Sequence, residues 1–126
     1  MAHSLLQFKN KKLEVRDASF EGLIEHLSLN VAGLEPGNAT HWLTGPLNDW
    51  FKYWDAMPPG CKLLKMDDVL TSNERLSDFY SLLSSCAASA RKQPGSLDWL
   101  ERISTRVEGW LKEAAAEFER DAPRKC

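Results

Sequence analysis

Residues 5–15 have the sequence LLQFKNKKLEV, and this stretch decides between an α+β fold and an all-helical one. Apolar and polar residues alternate on both sides of the polar run 9–12, with the apolar positions at Leu6, Phe8, Leu13 and Val15. A period of two residues is typical of a half-buried strand, and two such runs around a short polar turn predict an antiparallel β-hairpin. Asn10 tolerates the positive φ that tight hairpin turns require.

The next stretch, residues 17–34, fits two structures. Its apolar residues recur at spacings of three and four, as in a helix: Phe20, Leu23, Ile24, Leu27, Val31 and Leu34. Leu27, Leu29 and Val31 also alternate with polar residues, as in a third strand. Gly22 would lie in the first turn of a helix, where glycine costs less than in the interior, so we favour the helix.

A second helix is predicted from Pro46 to about Met57. Proline suits the first turn of a helix, and Pro58-Pro59-Gly60 ends the pattern. Residues 61–70 are expected to form an irregular or short extended connector.

The two C-terminal helices have the clearest signals. Thr71 and Glu74 match a capping box, and the apolar spacing after them continues until Pro94-Gly95. Ser96 can cap the last helix, which is predicted to extend to about Arg120. Asp98 with Arg102, and Glu108 with Lys112, have the four-residue spacing of helical ion pairs.

These patterns predict one α+β domain spanning residues 1–126. An N-terminal hairpin, extended to three strands if residues 27–31 are a strand, packs against about three helices. The last two helices form an antiparallel pair, because only residues 92–96 separate them. The alternative is an all-α bundle with an unstructured N-terminus. The polar tail 121–126 is expected to fray.

Charge and cysteine content narrow the function classes. With 16 Lys and Arg against 18 Asp and Glu, the formal net charge is −2, so a nucleic-acid partner is disfavoured. The N-terminus lacks the pattern of a secretory signal, and no apolar run is long enough to cross a membrane, which predicts a cytoplasmic location. The three cysteines are far apart, which argues against disulfides and cysteine zinc sites.

No catalytic motif is apparent. The histidines lack the spacing of a helical metal site, and glycines do not cluster before a helix as phosphate-binding loops require. Ser84-Ser85-Cys86 falls mid-helix and does not form a nucleophile elbow. We therefore expect neither enzymatic activity nor a metal or cofactor.

The distinctive feature is a cluster of five aromatic residues between positions 42 and 54. Trp50 and Trp54 share the apolar face of the second helix, whereas Trp42 and Tyr53 fall outside it and are expected to be dispensable for folding. Exposed aromatic rings beside charged residues are typical of binding hot spots. The candidate partner-binding residues are Trp42, Asp49, Lys52, Tyr53, Asp55, Asp67 and Asp68.

The favoured hypothesis is an intracellular, non-enzymatic protein-binding module. The specific form of this hypothesis is an inhibitor or immunity-type protein that neutralises a toxin or enzyme by occluding the site of that partner. This specific form rests on the size and charge of the chain alone. The alternative is a small-molecule or sugar-binding domain with an aromatic-lined pocket, in which His26 or His41 is the polar member.

Overall fold

A computed structural model describes residues 2–34, 42–92, 95 and 97–121 of the chain. In this part, the elements in chain order are β1 (His3–Phe8), β2 (Lys11–Arg16), α1 (Asp17–Leu34), α2 (Thr44–Ala56), β3 (Leu63–Lys65), α3 (Asn73–Arg91) and α4 (Asp98–Asp121). The predicted α+β fold is confirmed, and the all-α alternative is wrong. None of the described helices is long and apolar enough to span a membrane.

β1 and β2 form the predicted antiparallel hairpin, with Leu6 opposite Leu13. Its two turn residues, Lys9 and Asn10, have φ values of 51° and 72°. Positive φ at both central positions matches the twist of the flanking strands. Asp67 supports this turn from another part of the chain, since its Oδ2 accepts a hydrogen bond from the Lys9 N–H at 3.0 Å.

The third strand is β3, which comes from the segment predicted to be a connector and not from residues 27–31. It pairs with β1 in parallel, with Leu6 opposite Leu64, and gives the strand order β2-β1-β3. The backbone pairing extends past β3 on one side, where Met66 N–H donates to Gln7 O at 2.9 Å. A strand of three residues is too short for its alternation to be recognised in the sequence.

α1 is a helix, so the strand alternative for this stretch is wrong. Its buried side chains follow the helical spacing: Phe20, Leu23, Ile24, Leu27 and Val31. Leu29, which the strand pattern would have placed in the core, is exposed to solvent. α1 contacts α2, α3 and α4, so it lies at the centre of the helical layer.

α3 and α4 form the predicted antiparallel pair. Hydrogen bonds join Ser84 to Glu108 and Arg91 to Glu101, so residues later in α3 face residues earlier in α4. The cap of α3 is Ser72, one residue later than predicted, and its hydroxyl accepts from Arg75 N–H at 3.2 Å.

The outer face of α4 carries one of the two predicted ion pairs. Glu108 and Lys112 are 2.7 Å apart, as predicted. Asp98 instead accepts from Gly95 N–H at 3.2 Å, and the predicted pair with Arg102 does not occur among the described residues. The predicted cap Ser96 and residues 122–126 of the tail lie outside the described residues.

A buried lysine joins the end of α2 to the sheet. Lys62 directly precedes β3, and its Nζ donates to the carbonyl oxygens of Trp54 and, at 3.0 Å, of Met57. The same ammonium lies 5.4 Å from the centroid of the Trp54 ring. A cation at a helix C-terminus satisfies carbonyl groups that have no partner within the helix.

α1 and α4 approach closely at a glycine. A Cβ atom added at Gly22 would lie 2.4 Å from the Cη2 atom of Trp99, so the indole occupies the space that any other residue would need. The same ring lies edge-on to His26, with 6.0 Å between the ring centroids.

We expect Gly22→Ala to lower the free energy of unfolding by about 1–3 kcal/mol, the usual cost of overpacking. Helix propensity alone would predict the opposite change in the free energy of unfolding, because it favours alanine over glycine by about 1 kcal/mol. Gly109→Ala is the control, because a Cβ at this helical glycine meets no atom within 4 Å and should stabilise the protein slightly. Urea unfolding followed by tryptophan fluorescence measures both, and equal stabilisation by the two would contradict the packing described here.

Candidate functional site

α2 carries most of the aromatic cluster and buries one face of it. Leu47, Trp50 and Trp54 are buried, as the sequence predicted for this helix. Trp50 lies edge-on to Phe79 with 6.0 Å between ring centroids, and Trp54 packs on Phe20 at 4.7 Å. Pro46 lies in the first turn but is the third residue of the helix, which begins at Thr44.

The opposite face of α2 carries the three predicted charged residues. Asp49, Lys52 and Asp55 are all exposed to solvent, and their spacing of three places them along one side of the helix. They form a continuous charged strip that another molecule could reach.

Tyr53 has a structural partner. Its hydroxyl donates to Leu63 O at 2.8 Å and accepts from Leu63 N–H at 3.0 Å, which satisfies both backbone groups at the outer edge of β3. The side chain is half-buried against the core. Tyr53 is therefore expected to contribute to stability, which revises the expectation that it is dispensable for folding.

Trp42 is held against α3 instead of α2. Its Nε1 donates to Asp78 at 3.1 Å, and the guanidinium of Arg75 lies 4.8 Å from its ring centroid. The indole is half-buried. This contact joins the segment before α2 to the first turns of α3.

The predicted acidic pair, Asp67 and Asp68, is exposed in the connector between β3 and α3. Asp67 supports the hairpin turn through Lys9. It therefore lies at the turn end of the sheet, away from the charged strip of α2. The seven predicted residues therefore divide between the α2 strip, β3, α3 and the hairpin turn and do not form one continuous surface.

Sequence reasoning missed a groove between α1 and α2. Its volume is about 640 Å³. The lining residues are Glu25, Ser28 and Leu29 of α1 together with Thr44, Gly45, Leu47, Asn48 and Phe51 of α2. We call this surface the α1–α2 groove. The available signal was Leu29, an apolar residue that falls off the buried stripe of α1.

The two helices beside the groove are antiparallel. The C-terminal part of α1 faces the first turns of α2 in the groove, whereas at the other end Trp54 Nε1 donates to Asp17 O at 3.0 Å. Asp55 lies one turn beyond Phe51 on the same side of α2. Glu25 lines the groove itself, and Glu21 lies one turn before it on α1. The apolar floor thus has an acidic rim at one end.

The surroundings of the described His and Cys side chains bear on metal and covalent chemistry. No group of three or more His, Cys, Asp or Glu side chains among the described residues could hold a metal ion. His26 contacts Trp99, and His41 lies outside the described residues. Burial raises the pKa of the Cys86 thiol to about 11, although the side-chain amide of Asn30 hydrogen-bonds to its sulfur and lowers it in part. A thiol with this pKa is a poor nucleophile at neutral pH.

We expect Tyr53→Phe to lower the free energy of unfolding by about 1–3 kcal/mol, because both backbone groups of Leu63 lose their partner. Tyr80→Phe is a matched control, since the Tyr80 hydroxyl makes no hydrogen bond with any described residue. Chemical denaturation compares the two variants. Equal effects would show that the Tyr53 hydroxyl contributes nothing to β3.

We expect Cys86 to resist thiol reagents in the folded protein. In a Cys126→Ser variant, the exposed Cys61 should react rapidly with an aromatic disulfide, and Cys86 only as fast as the protein unfolds. Equal reaction rates of Cys61 and Cys86 with the aromatic disulfide would contradict the burial of Cys86.

A thiol pKa raised from 9.0 to about 11 also links stability to pH. Because the folded state favours the protonated thiol, protonated Cys86 adds to the free energy of unfolding. This stabilisation is fully present below about pH 9 and is lost as the pH rises towards 11.

Comparison of the chain with protein-family models, with curated proteins and with solved structures found no match.

Proposed function

We propose that this chain is a protein-binding module that docks a partner in the α1–α2 groove. The observation that carries the proposal is Leu29, whose side chain is 69% exposed at the edge of the groove. It is the one large hydrophobic side chain that is exposed in the part of the chain that the structure describes. The other large hydrophobic side chains whose burial the structure describes are buried or half-buried.

The composition of the surface supports a protein partner. Leu29, Phe51 and the buried Leu47 supply the apolar part of the lining, and charged or polar residues supply most of the rest. Protein interfaces combine an apolar centre with a polar rim. A groove between two antiparallel helices is also the geometry in which an amphipathic helix lays its apolar face.

The charges of the rim indicate which partner would fit. Glu25 lines the groove, and Asp49 and Asp55 of the α2 strip are exposed beside it, against a single cation at Lys52. A segment that inserts apolar side chains and places Lys or Arg on either side would match this arrangement. The partner we propose is therefore a basic amphipathic segment of another protein.

A narrower form of the proposal is an inhibitor or immunity-type protein. A toxin or enzyme with a basic substrate site would present the charge that the acidic rim complements. A domain of 126 residues is large enough to cover such a site by occlusion. This form predicts that the bound partner loses activity at a one-to-one ratio.

The test is a selection from a displayed library of helical peptides against the full chain. We expect enriched peptides to carry apolar residues at spacings of three and four beside Lys or Arg. Leu29→Glu should weaken their binding by about 2 kcal/mol or more, the scale of an interface hot spot. Calorimetry with the synthesised peptide measures the loss.

Ala88→Glu is the matched control, because it adds the same charge at an exposed position of α3. It should leave peptide affinity unchanged. Enriched peptides that bind wild type and Leu29→Glu equally would refute the groove as the docking surface. Binding of an apolar fluorescent dye that depends on Leu29, without any peptide enrichment, would instead favour the small-molecule alternative, since about 640 Å³ can hold such a ligand.

A further inference from the structure

A second cleft lies between the end of β2, the start of α1 and α4. Its volume is about 300 Å³. The lining includes Arg16, Ser19, Trp99, Arg102 and Arg106. We call it the arginine cleft. It lies on the α4 side of α1, away from the α1–α2 groove.

Two elements, α4 and β2, bring the three arginines together. Trp99, Arg102 and Arg106 follow spacings of three and four, so they share one face of α4. Arg16 is the last residue of β2 and also lines the cleft. Two like charges four residues apart destabilise a helix slightly, so Arg102 and Arg106 do not stabilise each other within α4. The chain as a whole has a net charge of −2, so the cleft is a local exception.

Three carboxylates close to these arginines in the chain each have one partner outside the cleft. Asp17, next to Arg16 in the chain, accepts from Gly60 N–H at 3.0 Å. Asp98, one turn before Arg102, accepts from Gly95 N–H, and Glu101 pairs with Arg91.

Within the described part of the chain, the three guanidinium groups have no ion-pair partner. No Asp or Glu lines the cleft, and none of its arginines forms an ion pair with any residue that the structure describes. An anion from solution would supply the missing charge.

We propose that the arginine cleft binds a small molecule through its phosphoryl group. The planar guanidinium fork donates two parallel hydrogen bonds to phosphate oxygens, so arginine suits this group better than lysine does. The Ser19 hydroxyl adds a further donor. The half-buried indole of Trp99 supplies an apolar wall for the remainder of the ligand. A cleft of about 300 Å³ suits a ligand of metabolite size.

Titration calorimetry of the full chain tests this site with three phosphates: pyrophosphate, adenosine 5′-monophosphate and glucose 6-phosphate. Citrate serves as a carboxylate anion without phosphorus. We expect at least one phosphate to bind, and to bind more tightly than citrate. Preference for pyrophosphate would identify an inorganic ligand, whereas tighter binding of either organic phosphate would show that the wall at Trp99 contributes.

Arg102→Gln and Arg106→Gln should each weaken that binding at least about tenfold, as expected for loss of a charged hydrogen-bond donor. Lys65→Gln is the control, because it removes an exposed cation from β3, outside the cleft, and should change the affinity less than about twofold. Circular dichroism confirms that each variant folds, and Arg106→Lys, which keeps the charge but not the fork, should lie between wild type and Arg106→Gln. Absence of binding by all three phosphates, equal binding of citrate, or equal losses from Lys65→Gln would overturn the proposal.

Discussion

Trp54 is the contact on which the arrangement of the other elements depends. Its side chain is only 1% exposed, and its ring packs on Phe20 while its indole N–H donates to the Asp17 carbonyl. Its own carbonyl accepts from the Lys62 ammonium. One residue of α2 therefore contacts the start of α1 and the residue that leads into β3. This fixes the direction of α2 along α1 and brings β3 to the edge of β1, where the parallel pairing forms.

α1 separates the two candidate binding surfaces. Its contact with α2 leaves the α1–α2 groove, with Leu29 exposed at the edge and Glu25 on the wall. Its contact with α4 is closer, because Gly22 lets the Trp99 indole lie against the helix backbone. That same indole lines the arginine cleft. The two surfaces differ in charge because the acidic residues of α1 and α2 and the arginines of α4 and β2 lie on different sides of one central helix.

The aromatic cluster shows how far composition can be used to locate a site. Five rings within positions 42–54 suggested that some would be left in water, yet Trp42 and Tyr53 are half-buried and hydrogen-bonded to Asp78 and Leu63. An aromatic ring with a polar atom can be enclosed wherever a partner exists for that atom. The better indicator of an open surface was an aliphatic residue off its helical stripe, Leu29, which has no polar atom that could explain its position.

The sequence by itself determined the hairpin and the three helices after residue 45, and it favoured a helix over a strand for residues 17–34. These features depend on the spacing of apolar residues along a short stretch of chain, which is a local property. Only the tertiary structure decided that residues 63–65 form a strand, that Asp67 supports the hairpin turn, and that Asp98 accepts from a backbone N–H and forms no ion pair with Arg102 in the described part of the chain. Each of these depends on which distant residues come into contact, and a polar side chain within reach of several partners takes the one that the packed helices place beside it.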